Sequence, residues 1–429
     1  MNLRLLIFRA RSKGVPVYCF FLFLVYLLYN RFYPRPPELA RVPTDMQRYA
    51  KFNEPVRLPE QTLSRAEINK LVSITEMMNF EREVLLAWRF GPVRADTDML
   101  VVQVHRDVER LQFLIVSLAQ VRHIQSVLLV FSHSYYDDVI NKLVTSITFC
   151  RVLQIFYPYS LQLYPNRFPG IDPDDCLSGY GAADCSTRDG RLTEHKHHWW
   201  WKAFFIFNKL EWSEDYEGTV IFLEEDNYVL PDLLHMLRYT RRTSKAYLQG
   251  IHVMSFGRLY GKDFDYDLLS VSAWRPPYDK GLAFNKTVWQ KIAALSSYYC
   301  TYDDLSWSYS LLHALGQLRG GRAQMVAAEA PRVLSTSMYP SGRAAHQQIK
   351  FRAGDSQMFP VRVKVVMLYS SAGRVDTRLK PPPAGNGGWT DLRDHSLCQD
   401  PFRASAATIT TFHNNLTANF REYTGTGQH

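Results

Sequence analysis

Short continuous apolar runs alternate with amphipathic stretches over the first half of the body. Met99–His105 reads Met-Leu-Val-Val-Gln-Val-His, the pattern of a strand buried on both faces. Asp107–Val121 places Leu111, Leu114, Ile115 and Leu118 at helical spacing, and Ser126–Ser132 is a second apolar strand. Together they predict a βαβ unit with a right-handed parallel crossover. A third strand, Val152–Phe156, follows another helix, and a further helix is expected from Arg65 through Met78. Thr219–Asp226 runs from Thr-Val-Ile-Phe-Leu straight into Glu-Glu-Asp. This alternation predicts an α/β fold with an open, Rossmann-like, mostly parallel sheet. Ligands of such sheets bind beyond the C-terminal strand ends, where Gln103–Asp107, His133-Ser134 and Glu224–Asp226 would gather.

Three successive carboxylates repel one another and call for an opposing cation, and hard oxygen ligands suit Mg²⁺ or Mn²⁺. The plain alternative is a solvated acidic loop at a strand end. A second aromatic-rich helix is expected to start near His197 and run to about Leu210, with Trp200, Phe204 and Phe207 in the core. His195, Lys196, His197 and His198 would then lie at a helix N-terminus, where a diphosphate could be held. Neither a GxGxxG nor a GxxxxGK[ST] string occurs, which excludes the usual dinucleotide and P-loop sites.

The N-terminal pattern is different. Arg4, Arg9, Arg11 and Lys13 precede an apolar run from Val15 to Tyr29, closed by Asn30 and Arg31. No small-x-small cleavage site follows, so the run reads as an uncleaved signal anchor with residues 1–14 cytoplasmic and the remainder luminal. Residues 30–65, rich in proline, read as an extended stem, residues 66–400 as the luminal body, and 401–429 as a C-terminal tail. The chain of 429 residues is 46% apolar, ample for a large core, and its net charge of +9 is scattered. That balance suits an anionic small substrate or a membrane surface better than a nucleic acid. Among six cysteines, Cys19 lies in the anchor and Cys150 reads as free. Cys176 and Cys185 flank a short loop suited to a local disulfide, and Cys300 and Cys398 remain as a long-range pair.

Several strings in one order carry a resemblance: Val102-Gln-Val-His105, Val130-Phe-Ser-His133, Leu161–Asn166, Lys196–Lys202, Phe222–Asp226, Gly281-Leu-Ala283, Cys300-Thr-Tyr-Asp-Asp304, Asn386-Gly-Gly-Trp389 and Arg393-Asp-His395. Over roughly residues 65–400 the chain resembles the N-acetylglucosaminyltransferase II family of Golgi enzymes. The resemblance implies a GT-A-type glycosyltransferase fold, Mn²⁺ as cofactor and UDP-GlcNAc as donor. It implies an inverting transfer to O2 of the α-1,6-arm mannose of an N-glycan acceptor, at the Golgi membrane. Asp226 is implied as the metal-binding acid, with Glu224 and Glu225 as donor-sugar or ribose contacts. Gln103, Val104 and His105 are implied at the uridine, Lys196, His197 and His198 at the other half of the nucleotide, and Trp307 at the acceptor. Both cysteine pairs match disulfides of the family.

The departures fall at the same site. Arg106-Asp107 replaces Asn-Arg, Ser134 replaces an acid, and Glu194-His195 replaces Gln-Thr, leaving each as a nucleotide-site candidate in altered form. Ser335 stands where the family has a second metal ligand, a histidine. Ser308 stands where it has the catalytic aspartate, and a serine hydroxyl is no useful base at neutral pH. Asp303 or, preferably, Asp304 is expected to compensate from within one turn. Two functions follow: a working transferase with a rearranged site, or a non-catalytic Golgi homologue that binds a nucleotide, a glycan or a partner enzyme.

Overall fold

A computed structural model describes residues 23–25, 42–51, 56–172, 188–248, 252–258, 265–318, 323–353, 358–367 and 385–403. The cytoplasmic tail, all but three residues of the expected anchor, Cys176, Cys185 and the end of the C-terminal tail lie outside them. No helix of the described residues is long and apolar enough to cross a membrane.

The elements run α1 (Arg65–Glu81), β1 (Met99–Val104), α2 (Val108–Ala119), β2 (Leu128–His133), α3 (Asp138–Thr145), β3 (Arg151–Phe156), α4 (Gly190–Asn208), β4 (Val220–Glu224), β5 (Asn227–Val229) and α5 (Leu233–Tyr247). Then follow β6 (His252–Ser255), β7 (Leu268–Ala273), β8 (Leu282–Phe284), α6 (Lys286–Ala293), α7 (Ser296–Thr301), α8 (Trp307–Leu315), β9 (Gln324–Ala328), β10 (Val333–Ser335), α9 (Gly342–Ala353), β11 (Lys364–Met367) and α10 (Leu392–Arg403). Nine strands form one sheet in the order β11-β7-β9-β6-β8-β4-β1-β2-β3. β1 pairs in parallel with both β2 and β4, and β2 with β3, so the expected βαβ unit and its register are present. β8 lies antiparallel between β4 and β6, and β7 antiparallel to β9, which makes the sheet mixed beyond β4.

The two-residue period of a strand divides the core in two. Leu100, Val102 and Val104 face α2, meeting Leu111, Leu114, Ile115 and Leu118. Met99 and Val101 face the opposite layer, where α4 supplies Trp199, Trp200, Phe204 and Phe207. The aromatic layer is tightly ordered: Trp199 stacks on Trp307 with centroids 4.3 Å apart, and Trp200 on Tyr299 at 4.0 Å.

Two boundaries differ from the sequence reading. α4 begins at Gly190, capped by Asp189, about two turns before His197. Its opening turns carry polar residues, so the apolar pattern alone locates only the second half. The packed body also begins before residue 65. Tyr49 is buried against Phe149, and Leu58 N–H donates to the Arg106 carbonyl at 3.0 Å. The prolines of the expected stem thus include a segment that lies along the body. At the other end, the Cys300–Cys398 disulfide joins α7 to α10, as expected, and Cys150 is free and buried.

Candidate active site

A cavity of about 700 Å³ opens at the C-terminal ends of β1, β2 and β4, where an open α/β sheet places its ligands. It is within the size range of small-molecule and cofactor sites, about 300–1,000 Å³. His105 and Arg106 enter it after β1, Ser134 and Tyr135 after β2, and Glu224 at the tip of β4. Arg191, Glu194 and His195 follow at i, i+3 and i+4 on one face of α4. Trp307 and Ser308 come from the start of α8, and Arg57 and Glu60 from the segment ahead of α1. Of the sequence candidates, then, His105, Arg106, Ser134, Glu194, His195, Glu224 and Trp307 converge.

The others do not line the cavity, and each has a structural partner. Lys196 is fully buried and donates to the Tyr302 and Asp304 carbonyls at 3.2 and 2.8 Å, beneath the face of Trp389. His197 bonds Asp394 at 2.9 Å, and His198 bonds Ser132 at 2.8 Å. These three sit in the middle of α4 on its core face, so none lies at a helix N-terminus and none can hold a diphosphate. Gln103 is buried and braces the floor, accepting from Lys202 at 2.6 Å and contacting His195 at 3.2 Å. The Val104 carbonyl accepts from the Ser134 N–H at 3.0 Å. Asp107 caps α2 through the Arg110 N–H at 3.0 Å.

Asp304 is a correction of another kind. Only 2% exposed, its carboxylate accepts from the Ser306 N–H at 2.8 Å and the Asn386 amide at 2.6 Å. Asp303 likewise accepts the Trp389 N–H at 2.7 Å. Both acids anchor the 385–389 turn rather than facing a substrate. Gly385 there has φ +81° and packs against the Asp303 backbone with no room for a Cβ.

The three carboxylates after β4 have separate fates. Glu225 accepts the His105 and Asp107 N–H groups at 2.7 and 3.3 Å, and burial pushes its carboxyl up to about 8. It bolts β4 to the end of β1. The Asp226 oxygens accept from the Asn227 amide and the Ser335 hydroxyl, both at 2.8 Å. Glu224 alone enters the cavity, where it pairs with Lys280 and lies 3.7 Å from the His195 ring. Burial works to raise the Glu224 carboxyl, but Lys280 and His195 overcome it and hold the group well below the usual carboxylate range.

Those donors fit a manganese site poorly. Both oxygens of Asp226 are engaged by protein donors. The position implied as a second ligand is Ser335, whose hydroxyl points its proton at Asp226. Ser335 offers a neutral oxygen where an imidazole would supply an established transition-metal donor. The cation actually present is the Lys280 ammonium.

Two residues that sequence reasoning missed complete the site. Asp279 and Lys280 lie in the loop before β8 and line the cavity beside Ser308 and Glu224. β8 pairs with β4 as Val220↔Phe284 and Ile221↔Ala283, so extending that register brings position 280 opposite Glu224. Ser308 lies close enough to act on the Asp279 carboxyl, while its hydroxyl is 3.1 Å from Ser306 Oγ. Burial raises the Asp279 carboxyl, Lys280 and Ser308 oppose, and Glu224 adds to the rise, leaving it at about 6. A carboxylate, Asp279, thus lines the same cavity as Ser308. The available signal was the string Gly281-Leu-Ala283, which an acid and a lysine immediately precede.

Comparison with known proteins identifies the family. A sequence profile of the family described as N-acetylglucosaminyltransferase II matches residues 72–398. The alpha-1,6-mannosyl-glycoprotein 2-beta-N-acetylglucosaminyltransferase of Mus musculus is 30% identical over 367 residues, covering 78% of this chain and 82% of that protein. The protein of the same name from Arabidopsis thaliana is 28% identical over 332 residues, covering 72% and 76%. Among solved structures, S. aureus TarS 1-349 matches with a TM-score of 0.32 and 9% identity over 56% of this chain and 60% of that one, too distant to support an argument. Mouse xyloside xylosyltransferase 1 matches at 0.28 and 13%, over 62% and 85%, and is equally remote. With a family match across three quarters of its length, the chain belongs to the N-acetylglucosaminyltransferase II family.

Proposed function

We propose that the protein transfers N-acetylglucosamine from UDP-GlcNAc to O2 of the α-1,6-arm mannose of N-glycans, with inversion, as a Golgi enzyme held by its N-terminal anchor. Family membership supports the reaction. The observation that carries it in this chain is the meeting of Asp279, Ser308, Glu224 and Trp307 in one cavity.

Inverting transfer forms a bond from the mannose O2 to the anomeric carbon and breaks the bond from that carbon to the diphosphate. The O2 proton goes to a base, and the electron pair leaves with UDP. Asp279 is the base in this reading. A carboxylate whose pKa is about 6 is ionised at neutral pH, yet is more basic than an ordinary aspartate. Ser308 lies beside it and favours the carboxylate form, and a serine suffices for that task where it could not act as a base. Trp307, held against Trp199, offers an aromatic wall for the acceptor sugar. Arg57, Arg106 and Arg191 give the cavity lining positive charge for an anionic donor, and His105 with Ser134 marks the nucleoside end. The His105–Ser134 bond is 2.7 Å, and burial, then His195 and Lys202, depresses the His105 imidazole to about 3. A neutral His105 suits hydrogen bonding to an uncharged base or ribose.

The test is the full-length protein in detergent, given UDP-GlcNAc and the mono-antennary acceptor glycan, with products read by mass spectrometry and linkage analysis. One added β-1,2-linked residue is expected. No glycan product under any divalent-cation condition, together with product from a Ser308→Asp/Ser335→His double variant, would instead establish a non-catalytic homologue.

A further inference from the structure

We infer that the Lys280 ammonium takes the place of a divalent metal at the donor diphosphate, so that transfer proceeds without Mn²⁺. The inference rests on the transferase reading above but makes a separate claim about how the leaving group's charge is met.

Its first support is the state of the acidic run. Glu225 is tied to backbone amides, and both oxygens of Asp226 already accept hydrogen bonds. Further bonds fix the segment: the Thr336 N–H and hydroxyl both donate to the Asp226 carbonyl at 2.7 Å. Asp226 and Ser335 thereby form a latch between β5 and β10, whose strands pair with Ser335 opposite Asn227. An ion at Asp226 would have to share a carboxylate already committed to that latch, with a serine beside it instead of a second charged or imidazole ligand.

The second support is where Lys280 stands. β8 runs antiparallel to β4, and the register delivers position 280 to Glu224 at the tip of the acidic strand. Gly281, with φ +60° and Val333 where a Cβ would sit, makes the turn that carries the chain from Lys280 into β8. The ammonium lies in the combined field of Glu224, Asp226 and Asp279, and burial alone acts to discharge it. It is therefore cationic and faces the cavity, with a side chain only 18% exposed. A dication in the same field would meet a like charge. A lysine is a compact point charge with three donors, the form in which proteins often supply a cation to a phosphate. Glu224 keeps it in position before the donor arrives.

An ordinary structural ion pair would look alike in coordinates, so the test reads donor binding. Calorimetric titration of the full-length protein with UDP is compared in EDTA and in Mn²⁺, alongside transfer rates under both conditions. Equal UDP affinity and equal rate are expected. Lys280→Met should weaken UDP binding about 10- to 100-fold, the range for losing a charge-assisted hydrogen bond, while Lys280→Arg should retain most of it. Lys280→Met/Ser335→His should gain a dependence on Mn²⁺ for UDP binding. Loss of UDP binding in EDTA with recovery in Mn²⁺ would overturn the inference, as would unaltered UDP affinity in a folded Lys280→Met variant. Should Lys280→Met not fold, the comparison of EDTA with Mn²⁺ on the wild type decides alone. A wild type that binds UDP equally in both conditions but makes no glycan product would contradict the transferase reading and leave Lys280 as a nucleotide-binding cation.

Discussion

Asp279 acting as base makes a quantitative demand on the pH profile. An ordinary aspartate titrates near 3.8 and would be fully ionised throughout the weakly acidic range, giving a flat profile there. Burial and Glu224 set Asp279 at about 6 despite Lys280 and Ser308. The ionised fraction is then about ten parts in eleven at pH 7 and about one in eleven at pH 5, so kcat/KM should fall roughly tenfold between them. The sign is fixed by the role: a general base must be deprotonated, so activity rises with pH through the midpoint. Asp279→Asn should lower kcat by about 10²–10⁴, which is about 2.7–5.4 kcal/mol of transition-state stabilisation, and should erase the inflection. Ser308→Ala removes a hydroxyl that favours the carboxylate, so its midpoint should move upward and its rate at pH 6 should drop. Glu194, raised by burial to about 7, lies in the same cavity, and the Asp279→Asn profile separates the two groups. Initial rates from pH 4.5 to 8 at subsaturating donor provide the measurement. A wild-type profile that is level between pH 5 and 7, or an inflection that survives in Asp279→Asn, would refute the assignment.

Further consequences concern binding and stability. A version beginning at residue 65 lacks Tyr49 from the core and Arg57 and Glu60 from the cavity wall, so it should bind UDP more weakly and melt lower than one beginning at residue 42; calorimetry and a thermal melt check both. Trp307→Ala should raise acceptor KM more than donor KM, and removing this stacked core tryptophan should cost about 3–5 kcal/mol in denaturant unfolding. Arg332 and Asp232 are fully buried and paired through several hydrogen bonds, so Arg332→Ala should leave a buried charge and destabilise by about 3–5 kcal/mol. Reducing the Cys300–Cys398 bond, which closes a separation of 98 residues, should lower stability by about 2–5 kcal/mol in a melt with and without reductant.

The parallel half of the fold is legible because each strand there is apolar on both faces and each helix keeps one apolar side. Leu111, Leu114, Ile115 and Leu118 bury as the spacing requires. The first turns of α4 escape that logic, because Arg191, Glu194 and His195 face a cavity instead of a core. Consequently the histidine–lysine cluster is assigned to a helix end that it does not occupy. Tyr49 is hidden for the opposite reason: one aromatic among prolines has no periodicity, and only the fold reveals that it fills a gap near Phe149. The departures at Ser308 and Ser335 are visible in the sequence, but the neighbours proposed to compensate for them are not. Asp279 and Ser308 are 29 positions apart, and it takes β8 and α8 to bring them together. Asp304 is nearer to Ser308 in sequence and useless to it in space, since its carboxylate serves Asn386 and Ser306.

Lys196 acts as a rivet. Its buried side-chain nitrogen joins the helix that carries His195 to the two carbonyls just ahead of Trp307, under an aromatic cover. The cavity wall that carries His195 and the one that carries Trp307 are thus fastened to each other by one side chain. In the proposed reading, that one fastening would set how far apart donor and acceptor sugars are held.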